Sequence, residues 1–271
     1  MRSFRAFSFA ADRRPPLYTD SLLTETQRDR LKVVLVSPRN PLNIGAAARA
    51  MANFGFAHLS VVAPYVPSWR EARSAVGAPQ LLLAAQEFPT LSAALADCTL
   101  AVGTGTLAHR RPEQPAVALP DLAPHVSSAL ERGGNVALVF GPEKRGLTRD
   151  DLSYCHLLAE IPTSPEQPSM NLGQAVAVCL YELASRASGA VERAPAPLPH
   201  AEGEPASSAT LELLAGVVEQ AMDAANYSPP EMRQANQHDL RLLLRRLELS
   251  ERDAGRILGL FRRIVWRLTQ K

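Results

Sequence analysis

The stretch NVALVFGPEKRGLT, residues 135–148, places Gly141 and Gly146 behind a short apolar run. That is the frame of a phosphate-binding loop, G-x-x-x-x-G-K-[ST], in which backbone N–H groups cradle phosphates and the lysine reaches the terminal ones. Here Leu147 stands where the lysine belongs, Pro142 removes an N–H from the cradle, and Glu143 sets a negative charge beside it. ATP chemistry therefore fits poorly. A glycine-flanked loop bearing an acid suits a ligand with amino or hydroxyl donors and a cationic centre. A second motif, GTGTLA at 103–108, matches the dinucleotide fingerprint G-x-G-x-x-[GA]. Pro112 and Pro115 stop any helix from following, so no helix N-terminus receives a pyrophosphate. The histidines show no metal-type spacing with each other or with the cysteines, and no metal site is expected.

Alternating elements must hold these loops. LKVVLVS (31–37) is a continuous apolar run of the kind buried on both faces of a sheet. Asn40 offers an N-cap, Pro41 a first helical residue and Gly55 a stop, which predicts a helix between them. Strands are expected at 58–64, 99–104, 135–140 and 156–161. Helical segments are expected near 69–76, 79–86, 91–98, 121–132, 148–154 and from about 171 to 186. Strands alternating with helices point to a parallel α/β sheet, and ligands of such sheets bind at the carboxyl ends of the strands. Residues 209–226 and 231–268 read as helices without strands, with Leu240, Leu243, Leu244 and Leu247 at helical spacing. The expected division is a flexible extension at 1–30, an α/β domain at 31–188, a Pro- and Ala-rich linker at 189–208 and a helical module at 209–271.

The totals narrow the class further. With 46% apolar residues in 271, a sizeable core is available, and no run approaches the roughly 18 apolar residues of a membrane span. Three widely separated cysteines argue for a reducing, cytoplasmic setting rather than a disulfide framework. Net charge is only +2, but eight arginines fall between Arg241 and Arg267 against Glu248, Glu251 and Asp253. Such clustering hints at a polyanionic partner.

Three segments carry a resemblance: VVLVSPRNPLNIGAAARAMANFGF (33–56), ALVFGPEKRGLT (137–148) and AEIPTSPEQPSMNLGQAVAVCLYEL (159–183). In order and spacing they resemble the three motifs of the SpoU/TrmH family of SPOUT-class RNA ribose 2′-O-methyltransferases, over roughly residues 31–187. The arginine-rich tail resembles that of the TrmJ branch, which acts on the tRNA anticodon loop. The resemblance implies an α/β fold with a deep trefoil knot, a homodimer, and S-adenosylmethionine held in the knotted loops. It implies an enzyme with RNA, above all tRNA, as substrate; the residues themselves give no expectation of a membrane or metal partner. Ribosomal RNA methylation, or RNA binding without catalysis, stays open as an alternative.

The family's positions carry over residue by residue. Cofactor contacts fall on Thr104, Gly105, Thr106, Gly141, Glu143, Ile161, Pro168, Ser169 and Met170. Arg49, Asn43, Ser169 and Asn171 match the catalytic positions. On the helix from Pro41, Ile44, Ala47, Ala48 and Met51 make an apolar stripe, and Arg49 falls opposite with Gly45, Ala46, Ala52 and Asn53. A guanidinium hardly deprotonates, so Arg49 suits phosphate binding and alkoxide stabilisation better than general-base work. Asn43 lies six residues earlier, on another face. Ser169 and Asn171 are equally placed to cap the last long helix. His109, Arg110 and Arg111 stand where close relatives carry a serine- or arginine-bearing loop. The tail's arginines either contact RNA phosphates or belong to an appendage that supports the dimer.

Overall fold

The computed structural model describes residues 23–105, 113–185, 203–227 and 229–270. Strand β1 (Leu31–Val36) leads to helix α2 (Pro41–Phe54) after a short first helix, α1 (Glu25–Arg28). Then come β2 (His58–Val62), α3 (Pro79–Ala84), β3 (Gln86–Phe88), α4 (Leu91–Leu95) and β4 (Cys98–Thr104). They are followed by β5 (Ala116–Ala118), α5 (Ala123–Glu131), β6 (Asn135–Phe140), α6 (Arg149–Ser153), β7 (Leu157–Glu160) and α7 (Leu172–Ser185). The strands form one sheet in the order β3-β2-β1-β6-β4-β7-β5, and every neighbouring pair is parallel.

Alternate residues of the central strands feed two separate apolar clusters, because successive side chains point to opposite faces. Val33, Leu35, Leu138 and Phe140 pack with Ile44 and Met51 of α2, Leu130 of α5 and Leu180 of α7. Val34, Val36, Ala137 and Val139 pack on the other face with Leu95 of α4, Leu147 and Leu158. Coverage of both faces is what a parallel sheet requires. The cysteines Cys98, Cys155 and Cys179 are buried and free, and burial pushes each thiol up to about 12.

Several expectations change in detail. Residues 23–30 are ordered: Leu23 is buried, and Thr24 and Gln27 cap α1 reciprocally. β3 and β5 went unforeseen, since three-residue edge strands carry no period to read. The segment 69–76 folds as a single 3-10 turn, Trp69–Glu71, rather than a longer helix.

The C-terminal residues form α8 (Ser208–Ala224), α9 (Arg233–Arg246) and α10 (Glu251–Thr269). The helix expected over 231–268 is therefore two. Glu248 turns into the left-handed region (φ 46°), and Ser250 starts α10 by accepting a hydrogen bond from the Asp253 N–H at 3.1 Å. Leu240 and Leu244 join α8 and α10 in a third cluster. Leu243 and Leu247 remain 40% and 51% exposed, because the other covered face of α9 is His238–Leu242–Arg245.

That face is held to α8 through Glu212 and to the α/β unit through Asp150 and Tyr154. Arg245 Nη2 donates to Glu212 Oε1 at 2.8 Å with its side chain only 2% exposed, and Arg241 bridges Glu212 and Asp150 at 3.3 Å each. Both guanidiniums lie over the Tyr154 ring, at 4.7 Å for Arg241 and 5.6 Å for Arg245. The Ala209 N–H donates to Ala96 O at 3.0 Å, tying α8 to the end of α4. Arg245 has no other carboxylate among the described residues, so Glu212→Ala strands a buried charge and costs about 3 kcal/mol of stability. Chemical denaturation of that variant beside Leu243→Ala checks this, the latter staying within about 0.5 kcal/mol of wild type.

Candidate functional site at the carboxyl edge of the sheet

β1, β6, β4 and β7 are consecutive in the sheet, so the residues that follow them emerge side by side at one edge. Residues from all three sequence motifs meet there. Asn40 caps α2, its Oδ1 accepting from the Leu42 N–H at 3.0 Å, and Pro41 fills the first helical position. Gly55 closes the helix in the left-handed conformation (φ 75°). Asn43 thus sits in the first turn. Its Nδ2 donates to Glu143 Oε1 at 2.9 Å, and its Oδ1 accepts from Asn171 Nδ2 at 3.0 Å. Asn171 Oδ1 accepts from the N–H groups of Gly173 and Gln174, at 2.9 and 3.4 Å.

The order of these bonds is dictated by chemistry. An ionised carboxylate only accepts, so the amide nitrogen of Asn43 must face Glu143. This turns Asn43 Oδ1 toward Asn171, whose own nitrogen must then point back and leave its oxygen for α7. The start of α7 is capped as a result, by Asn171 and not by Ser169, which is exposed two residues earlier. Two backbone groups complete the cage and had no sequence signal. The N–H groups of Arg39 and Asn40 donate to Glu143 at 3.1 and 3.0 Å across more than 100 residues of chain. Burial by itself raises the Glu143 pKa, but the hydrogen bonds from Asn43, its own N–H, Asn40 and Arg39 outweigh burial and hold the carboxyl below its ordinary value.

Arg49 lies about 9 Å farther along α2. It is exposed and has no hydrogen-bond or ion-pair partner among the described residues. The stripe expected around it is only half open. Ala52 and Asn53 are exposed, but Gly45 is buried against Ser74 and Ala75, and Ala46 faces Gly173 of α7. A Cβ on Gly173 would stand 2.6 Å from that of Ala46, so glycine sets how closely the two helices approach.

The expected cofactor positions line the same edge. Thr104 ends β4, buried, with Oγ1 donating to Val139 O at 3.0 Å, while the Gly105 N–H donates to Ala159 O at 3.3 Å. Those two are partly engaged in holding the sheet together. Gly141 follows β6 and lies against the peptide between Gly146 and Leu147, where any Cβ would collide with backbone. Gly146 itself is left-handed (φ 63°), and its N–H donates to Pro142 O at 2.9 Å. The glycine pair therefore folds the loop tightly back on itself. Ile161 follows β7 and is half-buried, as are Pro168 and Met170. The N–H groups of Ile161, Ser169 and Met170 donate to no described residue. These free backbone groups, beside the open space at Gly105, fit a flat polar ligand edge. Thr106, and with it His109, Arg110 and Arg111, lies outside the described residues.

Among the described residues one His–acid group could hold a metal ion: Glu113, His238 and Asp239. Arg149 occupies it, 2.7 Å from Glu113 and 4.0 Å from Asp239, as part of the seam between α6 and α9.

Residues 30–181 match the model of the SpoU rRNA Methylase family, more than half of the chain. The chain belongs to this family. It is 33% identical over 235 residues to the tRNA (cytidine/uridine-2′-O-)-methyltransferase TrmJ of Klebsiella pneumoniae, covering 85% of this chain and 94% of the relative. A second relative is the tRNA (cytidine/uridine/adenosine-2′-O-)-methyltransferase TrmJ of Pseudomonas aeruginosa. It is 42% identical over 156 residues, which is 57% of this chain but only 60% of that protein's length. Among solved structures, TrmJ from Z. mobilis superposes with a TM-score of 0.73 at 31% identity, covering 86% of this chain and 98% of that one.

The low Glu143 pKa has a defined sign. Its stabilising contribution is present above the ordinary value near 4.5 and is lost as pH falls through the lower folded value. Urea midpoints measured downward from neutral pH should therefore fall in that acid range for the wild type. Glu143→Gln should be less stable at neutral pH and flatter in the same window.

Proposed function

We propose that this chain is an S-adenosylmethionine-dependent RNA ribose 2′-O-methyltransferase. Its substrate on this reading is the tRNA anticodon loop, and it works as a cytoplasmic homodimer. One observation carries the proposal: the hydrogen-bonded line Asn171–Asn43–Glu143 joins the three family motifs beside the free backbone groups that follow β7. When bound, the cofactor supplies an electrophilic methyl group on a cationic sulfonium. Gly141 and the loop 161–170 hold it through backbone groups, and Glu143, kept ionised, gives the edge a negative field.

Glu143 is not the group that takes the ribose proton, since its oxygens are already held by Asn43, Asn40 and Arg39. Arg49 instead binds the phosphate beside the target ribose and stabilises the alkoxide as the hydroxyl proton passes to solvent water. Ser169 and Asn171 set the lip of the site. The trefoil knot of the family and a division into units at 31–188 and 209–271 belong to the same proposal. No helix among the described residues is long and apolar enough to cross a membrane.

The three-helix unit supports an RNA partner. Arg252, Arg256, Arg263 and Arg267 recur along α10 within an arc of about 60° at roughly 100° per residue. All four are exposed, and Arg263 lies 4.0 Å over the Trp266 ring. Such a stripe follows a phosphate backbone.

Two measurements test the proposal. Incubation with S-adenosylmethionine and unmodified tRNA transcripts, followed by nucleoside mass spectrometry, should show 2′-O-methylated ribose. Arg49→Ala should lose about a hundredfold or more in rate while still binding cofactor by calorimetry. Base-methylated products, or none on tRNA or ribosomal RNA, would sink it. In the second, Arg252→Gln with Arg256→Gln should weaken tRNA binding and flatten its log–log salt slope by about one for each phosphate left without its arginine.

A further inference from the structure

We propose that Tyr65, with Arg39 beside it, is a stacking platform for the nucleobase adjoining the ribose on which the site acts. The inference rests on the RNA-methylating reading above and adds to it where the strand next to the target is held.

β1 and β2 end alike. Ser37 and Ala63, the residues just past them, both take the left-handed conformation (φ 44° and 42°) although neither is glycine. Residues with a Cβ rarely adopt it, and such strain gathers at working sites. The two bends are stitched to the strands beside them: the Ser37 N–H donates to Val62 O at 2.8 Å, and the Ala63 N–H to Phe88 O at 2.9 Å. They turn residues 38–40 and 64–66 out over the carboxyl edge, where the Tyr65 N–H donates to Pro38 O at 3.1 Å. The neighbouring Arg39 N–H donates to Glu143. Two backbone hydrogen bonds thus tie Tyr65 to the line that joins the motifs.

Its side chain is used by nothing else on that edge. Tyr65 is 74% exposed, more than any other large apolar or aromatic residue described. Its ring contact is the Arg39 guanidinium, 5.7 Å from the centroid. An exposed aromatic face beside a planar cation, on a strained and well-braced bend, is the chemistry that receives an unpaired base and its phosphate. Stacking is tolerant of sequence, so this platform would set the geometry of the strand rather than the identity of the base.

The test uses the full chain, S-adenosylmethionine and a tRNA anticodon stem–loop, with versions of that RNA lacking the base on either side of the methylated nucleotide. Tyr65→Ala should lower kcat/KM on intact RNA roughly tenfold, chiefly through KM. Tyr65→Phe, which keeps the ring, should recover most of the loss, and cofactor affinity by calorimetry should not move. One abasic RNA should be a correspondingly poor substrate for the wild type, and on it Tyr65→Ala should lose nothing more. Unchanged kinetics of Tyr65→Ala on an RNA that the wild type methylates would overturn the platform alone, as would losses that simply add on the abasic RNA. A shift of Tyr65→Ala toward monomer in sedimentation would instead mean that a second copy of the chain covers the ring, and would also overturn it. A wild type that methylates no RNA would take down the broader reading and the platform with it.

Discussion

An ionised carboxylate cannot donate a hydrogen bond, and that constraint on Glu143 propagates through the whole site. It orients Asn43, Asn43 orients Asn171, and Asn171 caps α7. The same carboxylate gathers the N–H groups of Arg39 and Asn40, which open α2. Three segments far apart in the chain are thereby set in one relation, and Gly141 and Gly173 allow the backbones to come close enough for it. The Asn43–Glu143 and Asn171–Gly173 bonds are partly buried, so removing either donor leaves an acceptor partly desolvated. The site is therefore held by its own polar groups as well as by the core beneath it.

The arginines divide by burial into two kinds of work. Arg241 and Arg245 hold α9 to α8 through Glu212, and they fasten the three-helix unit to the α/β unit through Asp150 and the Tyr154 face. The helix α6 in that seam follows directly on the Gly141–Leu147 loop, so the fastening borders the site. Among the described residues the arginines along α10 make only local contacts, Arg256 with Asp253 at 3.8 Å and Arg263 with the Trp266 ring, and stay exposed to solvent, where charge reaches a distant polyanion. A formal charge of +2 conceals both roles, since acids cancel the buried set.

How much could be read beforehand depended on the range of the forces involved. The helix from Pro41 to Gly55 was legible because Asn40, Pro41 and Gly55 act within a turn of themselves. The central strands were legible from continuous apolar runs. Whether Ser169 or Asn171 caps α7 was not, since the choice is made by Asn43 from 128 residues away. Helical spacing put Gly45 on the stripe with Arg49, away from the apolar one, but the segment at 72–75 covers it. The helical spacing of Leu240, Leu243, Leu244 and Leu247 did not say which of them would be covered. Helix α9 buries Leu244 with His238, Leu242 and Arg245, while Leu243 and Leu247 stay exposed.

The sequence by itself determined the alternation of elements, the parallel α/β class, the loops that follow the strands, and the family, through three ordered motifs. These depend on local propensity, hydrophobic period and short spacings, all of which are properties of neighbouring residues. Only the tertiary structure decided that β6 lies between β1 and β4, that Glu143 reaches Asn43 and the opening of α2, and that the helical unit docks by its arginines. Those outcomes depend on which distant backbone groups and charges are left to satisfy one another once the sheet has closed around its core.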